Sequence, residues 1–328
     1  MTGKAKKSQP SPHRSIHPRI NTSFPCLPTP SLDPQELRRR VASSNCPDDS
    51  FLNAVALARK SRKHIVVFNV GANTGFAVAR ALRRYGASNV TNRLWYKHIL
   101  EATGGILNAS GKRLVMSERL QLRHRLRGKC NEANDPDLPG ASNLNVRVYA
   151  FELVPSTTEL LQTVVNSAGI SQLVNVSNIA MSDRPGMKRV SNATILASEF
   201  ASLGKCHGCG AIDVGTSVPV HVETVDRMAQ KLGLQWIDEL LVDTEGFDAL
   251  VLRGADSFLA MRRIGTIVFE YSHLWRDQGQ RLKQVVEQLD RRSYNCFFLS
   301  RDFDGNMIPI SGQCWRRDFE MYVWSNVA

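Results

Sequence analysis

Four short segments of this 328-residue chain carry residue types that chemistry uses. Gly71-Ala72-Asn73-Thr74-Gly75 follows an apolar run and precedes an apolar-periodic stretch. A ligand's polar tail can lie against such a turn because no Cβ intervenes, and the helix beyond offers free N–H groups. Glu152 ends a second apolar run, where an acid can accept hydrogen bonds from both ribose hydroxyls of a nucleoside cofactor. Ser182 and Asp183 follow the third run, at the place where an adenine would be flanked. Asp243 and Glu245 follow the fourth, and Glu270 and His273 the fifth. Carboxylates and an imidazole beyond the carboxyl ends of strands are groups that can take a proton from an acceptor hydroxyl. The plainer alternative for Thr244 or Glu245 is capping of the helix expected from Phe247.

The spacing narrows the cofactor. A dinucleotide turn wants G-x-G-x-x-G, and its third position here is Asn73. The 77 residues from Gly75 to Glu152 also exceed the roughly 20 of a nicotinamide site. A Gly-Lys-Ser/Thr phosphate loop is absent from this turn. The G-x-x-x-G spacing favours a ligand that meets the turn with a smaller group than a pyrophosphate, such as the methionine part of S-adenosyl-L-methionine. Asp243 and Glu245 are two close acids without a third ligand beside them, so no metal is assigned.

These residues need a scaffold. His64–Val70 is short, apolar and β-branched, as expected of a strand buried on both faces of a parallel sheet. Similar runs recur at Val146–Phe151, Leu173–Ile179, Leu240–Val242 and Ile264–Phe269. Helices are expected after Phe76 and at Ser156–Ala168, Asp226–Leu232, Phe247–Leu259 and Gln278–Arg292. Phe247, Leu250, Val251, Ala255, Phe258 and Leu259 recur at helical spacing and should pack on the sheet. Tyr294–Leu299 and Phe319–Trp324 suit a closing antiparallel hairpin. Alternating β and α elements predict a doubly wound, Rossmann-like α/β fold with a seven-stranded, mainly parallel sheet.

Charge divides the chain. Of 42 Lys/Arg and 30 Asp/Glu, residues 1–130 hold 24 and 6, a net of +18, and residues 131–328 hold 18 and 24, a net of −6. Residues 1–35, rich in Pro, Ser, Lys and Arg, read as a disordered basic tail. Residues 36–328 read as one catalytic-type domain, with a basic insertion at about 91–143 that carries a short helix at Leu94–Ala102. A uniformly basic nucleic-acid binder would not show this split. No stretch approaches about 18 consecutive apolar residues, so no membrane span is expected, and a cytoplasmic location is the default, with organelle targeting by the acid-poor basic tail as the alternative. Seven cysteines spread over the chain form no disulfide framework, and Cys206-His207-Gly208-Cys209 is at best half of a zinc site.

In order along the chain, Phe68-Asn69-Val70-Gly71-Ala72-Asn73-Thr74-Gly75, Ala150-Phe151-Glu152, Asn178–Asp183, Val225-Asp226 and Val242-Asp243-Thr244-Glu245-Gly246 resemble the FkbM-type methyltransferases. Val251-Leu252-Arg253-Gly254-Ala255 and Val268-Phe269-Glu270 extend the resemblance, and the D-x-E-G segment is its most specific piece. Where the family carries Asp, this chain has Asn69, which keeps an acceptor but loses a charge.

The resemblance implies the class I methyltransferase fold and S-adenosyl-L-methionine as cofactor, held by Asn69, Gly71, Asn73, Gly75, Glu152, Ser182 and Asp183. It also implies O-methylation of a small hydroxylated molecule or a glycan, with Asp243, Glu245, Glu270 and His273 at the reaction centre. Two alternatives stand beside it: a non-catalytic binding module that keeps the fold, and a methyltransferase acting on RNA. The second lacks an N/D-P-P-Y/F motif and any recognisable RNA-binding module.

Overall fold

The computed structural model describes residues 51–52, 55–56, 62–86, 89–103, 145–190, 203, 218–299 and 308–315. In chain order its first half comprises β1 (His64–Val70), α1 (Phe76–Arg84), α2 (Asn92–Ala102), β2 (Asn145–Phe151), α3 (Pro155–Ser167) and β3 (Val174–Ser177). There follow β4 (Ala180–Met181), β5 (Gly186–Val190), β6 (Val218–Glu223), α4 (Val225–Lys231) and β7 (Ile237–Val242). The remainder is α5 (Asp248–Arg253), α6 (Asp256–Ala260), β8 (Ile264–Phe269), α7 (Leu274–Asp277), α8 (Leu282–Arg291), β9 (Phe297–Phe298) and β10 (Ile308–Pro309).

The five β-branched runs become one parallel sheet in the order β3-β2-β1-β7-β8. Both faces are covered, as their near-continuous apolar character requires. Phe68, Val70, Phe151, Leu240, Val242 and Phe269 pack with α4, α5, α6 and α8 on one face. Ile65, Val67, Val148, Ala150 and Leu241 pack with α1, α2 and α3 on the other. The order reverses direction between β1 and β7, and a ligand crevice is expected outside the carboxyl ends of strands at such a point.

Several expectations change. Among the described residues the main sheet has five strands, and the antiparallel pair lies apart from it as β9 with β10, Phe297 opposite Pro309. Phe319–Trp324, expected as the hairpin's second strand, lies outside the described residues, as do residues 1–35, 104–143 and Cys206-His207-Gly208-Cys209. The third apolar run, read as one strand to Ile179, stops at Ser177, where Ile179 N–H turns back to the Ser177 carbonyl. Ala180–Met181 then starts a second, three-stranded sheet, β4-β6-β5, over its own small core of Leu153, Val154, Val190, Val220 and Val222.

The helix expected over Phe247–Leu259 is broken into α5 and α6. Asp226 breaks it. Its backbone N–H donates to the Gly254 carbonyl at 3.0 Å, and its carboxylate accepts from Ser257 and Phe258 N–H at 2.8 and 3.0 Å. The groups that an unbroken helix would pair with each other are thus taken by one side chain and its amide. Val251, Ala255, Phe258 and Leu259 are still buried in the core, and Phe247 is buried, as their spacing predicts, whereas Leu250, expected on the same face, is only half-buried.

The segment read as an insertion begins with a core element. Trp95 and Ile99 of α2 are fully buried, and Thr91 caps the helix by accepting from Leu94 N–H at 3.1 Å. No helix among the described residues is long and apolar enough to cross a membrane. Of the described cysteines, Cys296 is free and buried, and Cys314 is disulfide-bonded.

Candidate functional site

Strand register builds the site. Phe151, Val70, Val242 and Phe269 are aligned across β2, β1, β7 and β8. The residue after each is therefore also aligned: Glu152, Gly71, Asp243 and Glu270 form one row along the carboxyl edge of the sheet. Neighbouring strands lie about 4.8 Å apart, so three carboxylates and one glycine share a shelf roughly 15 Å long.

Gly71 sits at the switch point with φ +80, and a Cβ there would lie 1.7 Å from the backbone oxygen of Asp243. Only glycine tolerates both the dihedral and the approach. The turn is fastened on its other side by Gly71 and Ala72 N–H, which both donate to the Phe151 carbonyl, at 2.9 and 3.1 Å. Gly75 has a different reason to be glycine. A Cβ there would meet Leu161 Cδ1 at 2.4 Å and Trp95 Cζ2 at 2.8 Å, so its bare side is closed by α2 and α3. The face of Gly75 on which a Cβ would stand is therefore filled by packing. Trp95 Nε1 also donates to the Thr74 carbonyl at 2.9 Å, which clamps the turn.

Glu152 is buried, and each of its oxygens already accepts one backbone N–H: Oε2 from Asn73 at 2.8 Å and Oε1 from Val154 at 2.9 Å. Burial pushes its carboxyl above the ordinary range, against the pull of those amides, and nearby Asp243 pushes the same way. A carboxylate has about four lone-pair sites, so each oxygen keeps acceptor capacity. Asn178 holds this strand end in place, its Nδ2 donating to the carbonyls of Glu152 and Leu153 at 2.9 and 3.1 Å.

Two buried polar atoms flank the turn without a hydrogen-bond partner among the described residues: Nδ2 of Asn69 and Oδ1 of Asn73. One is a donor and one an acceptor, and such groups are costly to bury unless something pairs with them. Ser182 and Asp183 stand at the end of β4 in the second sheet rather than after the third strand of the main one. Ser182 is buried, its amide donates to the Glu223 carbonyl at 2.9 Å, and its hydroxyl donates to Asp183 Oδ1 at 3.2 Å.

On the other side of the switch point, one oxygen each of Asp243, Glu245 and Glu270 lie within 4.8 Å of one another. Asp243 is exposed, Glu245 half-buried and Glu270 buried. Glu245 has φ +50, uncommon for this residue type and a cost of about 1 kcal/mol or more that the surrounding fold must sustain. His273 is exposed at the start of α7 and does not join this cluster.

Sequence reasoning missed Asp248. It is completely buried, and neither carboxylate oxygen has a partner in hydrogen-bond geometry among the described residues, although the Thr244 hydroxyl and its own amide are close by. Burial, followed by the charges of Glu270 and Asp243, holds its carboxyl well above the ordinary range. As an acid in the first turn of a helix it reads in sequence as a routine dipole partner, and only its burial distinguishes it.

No curated protein and no solved structure matches the chain. Residues 139–296 match the family model of the methyltransferase FkbM domain. The match takes in Glu152, the second sheet, the D-x-E-G segment, Asp248, Glu270 and His273, while the glycine turn of β1 precedes it. Residues 139–296, just under half of the chain, are thus similar to the methyltransferase FkbM domain, and this similarity supports a methyltransferase.

Proposed function

We propose that this methyltransferase uses S-adenosyl-L-methionine and methylates a hydroxyl of a small molecule or glycan. The observation that carries the donor assignment is the pair of unmatched buried polar atoms, Asn69 Nδ2 and Asn73 Oδ1, beside the Gly71 turn. An amino-acid moiety offers them what they lack: a carboxylate to accept from Asn69 and an ammonium to donate to Asn73. Glu152, with lone pairs left on both oxygens, is placed to accept from two ribose hydroxyls. Ser182 and Asp183 are assigned to the adenine side. Gly71 and Gly75 shape the turn rather than touch the donor through an open Cα face.

Bound there, the donor supplies an electrophilic methyl group, so the chain's own task is to orient an acceptor and take its proton. The acids after β7 and β8 serve this role. Asp243 and Glu245 accept the hydroxyl proton, and Glu270 holds the acceptor beside them. His273, exposed and outside the cluster, is assigned to the rim that the acceptor passes.

Calorimetric titration with S-adenosyl-L-methionine and, separately, NAD tests the donor assignment. Saturable binding of the methyl donor alone, weakened by Glu152→Ala, is expected. Binding of NAD, or of neither, overturns it; binding of neither favours a non-catalytic module, with Asn69 as the departure responsible.

A further inference from the structure

The acid row does more than offer a base. Three carboxylates that converge from two adjacent strand ends repel one another, and a cation is the ordinary way a fold keeps them charged and together. Oxygens bound to a single hard cation at 2.0–2.6 Å are separated by at most about 4–5 Å. The oxygens of Asp243, Glu245 and Glu270 satisfy this limit, each lying within 4.8 Å of the others.

A second observation points the same way. Behind the cluster, Asp248 is fully buried and Thr244 nearly so, and neither the two carboxylate oxygens nor the hydroxyl finds a hydrogen-bond partner among the described residues. Asp248 follows Glu245 by three residues, and the charges of Asp243 and Glu270 act on its carboxyl, so these oxygens lie close to the acid cluster. Buried oxygens without a hydrogen bond of good geometry are stabilised by bound water or by the charge of a nearby cation.

We propose that Asp243, Glu245 and Glu270 bind one hard divalent cation, of the Mg²⁺, Mn²⁺ or Ca²⁺ class, with Asp248 and Thr244 supporting it from the interior. An all-oxygen set without Cys or His selects such ions over zinc or copper. Six or more coordination positions less three protein oxygens leave places for water and for an acceptor's hydroxyl. Placing that hydroxyl on the cation rests on the methyl-transfer reading; the binding of the cation does not.

Mn²⁺ titration of the chelator-stripped full chain, followed by the loss of the free-ion electron paramagnetic resonance signal and with no methyl donor present, tests it. One Mn²⁺ per chain is expected, displaced by Mg²⁺ or Ca²⁺. Asp243→Asn and Glu270→Gln should each weaken it at least about tenfold, while Glu287→Gln, which alters an exposed acid paired with Lys283, should not. Asp243 is exposed, so its substitution leaves the core intact, and circular dichroism checks the fold of each variant. No binding at millimolar Mn²⁺, or binding indifferent to Asp243→Asn and Glu270→Gln, overturns the site. Calorimetry with S-adenosyl-L-methionine on the same preparation separates the two readings: a chain that binds Mn²⁺ but not the donor keeps the cation site and loses the donor assignment, and the reverse result does the opposite.

Discussion

The Cα of Gly71 faces the backbone carbonyl of Asp243 so closely that a methyl group there would lie 1.7 Å from the oxygen. This approach joins the glycine turn of β1 to the acids after β7 at the point where strand order reverses, so the candidate donor side and the candidate acceptor side meet in one close backbone contact. Gly71→Ala should therefore prevent the soluble fold or lower the melting temperature sharply. Gly169→Ala is the control: its φ of +68 is equally left-handed, but no atom lies within 4 Å of the added Cβ. It should cost only about 1–2 kcal/mol, and thermal denaturation of the two variants separates backbone strain from collision.

Trp95 tests whether the segment after α1 is an accessory or a part of the core. Trp95→Ala should destabilise by about 3–5 kcal/mol, the usual cost of emptying a buried aromatic site, read by urea denaturation. Trp95→Phe retains most of the packing but loses the bond to Thr74, so it should weaken S-adenosyl-L-methionine binding more than it lowers stability. Equal stability of wild type and Trp95→Ala would show that α2 is not part of the core.

Asp248 predicts a pH dependence whose sign can be worked out. Its folded pKa is raised well above the ordinary aspartate value, chiefly by burial. The native state therefore binds a proton that the unfolded chain has released, and stability falls as pH rises from the ordinary aspartate range toward the folded pKa. Asp248→Asn removes this penalty. In the presence of chelator, its melting temperature should rise relative to wild type as pH goes from acid to neutral, and the gap should be smallest in acid. A gap independent of pH would sink the assignment.

Asp226 and Glu152 both belong to the motif set, yet they should behave in opposite ways. Asp226→Ala removes the acceptor for Ser257 and Phe258 N–H and should cost about 1–2 kcal/mol with little change in donor affinity. Glu152→Ala should weaken donor binding and leave the fold intact. Melting temperature and calorimetric affinity, measured on both, must show this crossover.

For the acids after β7, Asp243→Asn and Glu245→Gln should reduce turnover far more than they reduce donor affinity. A fully active double variant would remove both from the reaction centre.

Much of this molecule is decided by local sequence. The β-branched runs at His64–Val70 and Ile264–Phe269 have no way to hide their apolar faces other than as interior strands, and the helical spacing from Phe247 to Leu259 demands one buried side. The residues that end those runs, Glu152, Asp243 and Glu270, follow from the same reading, because a polar residue closing an apolar strand must lie at its edge. Other features depend on partners far away in the chain. That Glu152, Gly71, Asp243 and Glu270 form a row is a matter of register between strands up to 199 positions apart, counted from 71 to 270. That Phe247–Leu259 is two helices is decided by Asp226, which competes for backbone groups that local propensity would have paired together. Gly75 is glycine because Trp95 and Leu161 arrive there, and Asp248 is unusual because it is fully buried with no partner in hydrogen-bond geometry among the described residues. Periodicity and residue type act over a turn or a strand and can be read one segment at a time; register, close approach and desolvation exist only once distant segments have met.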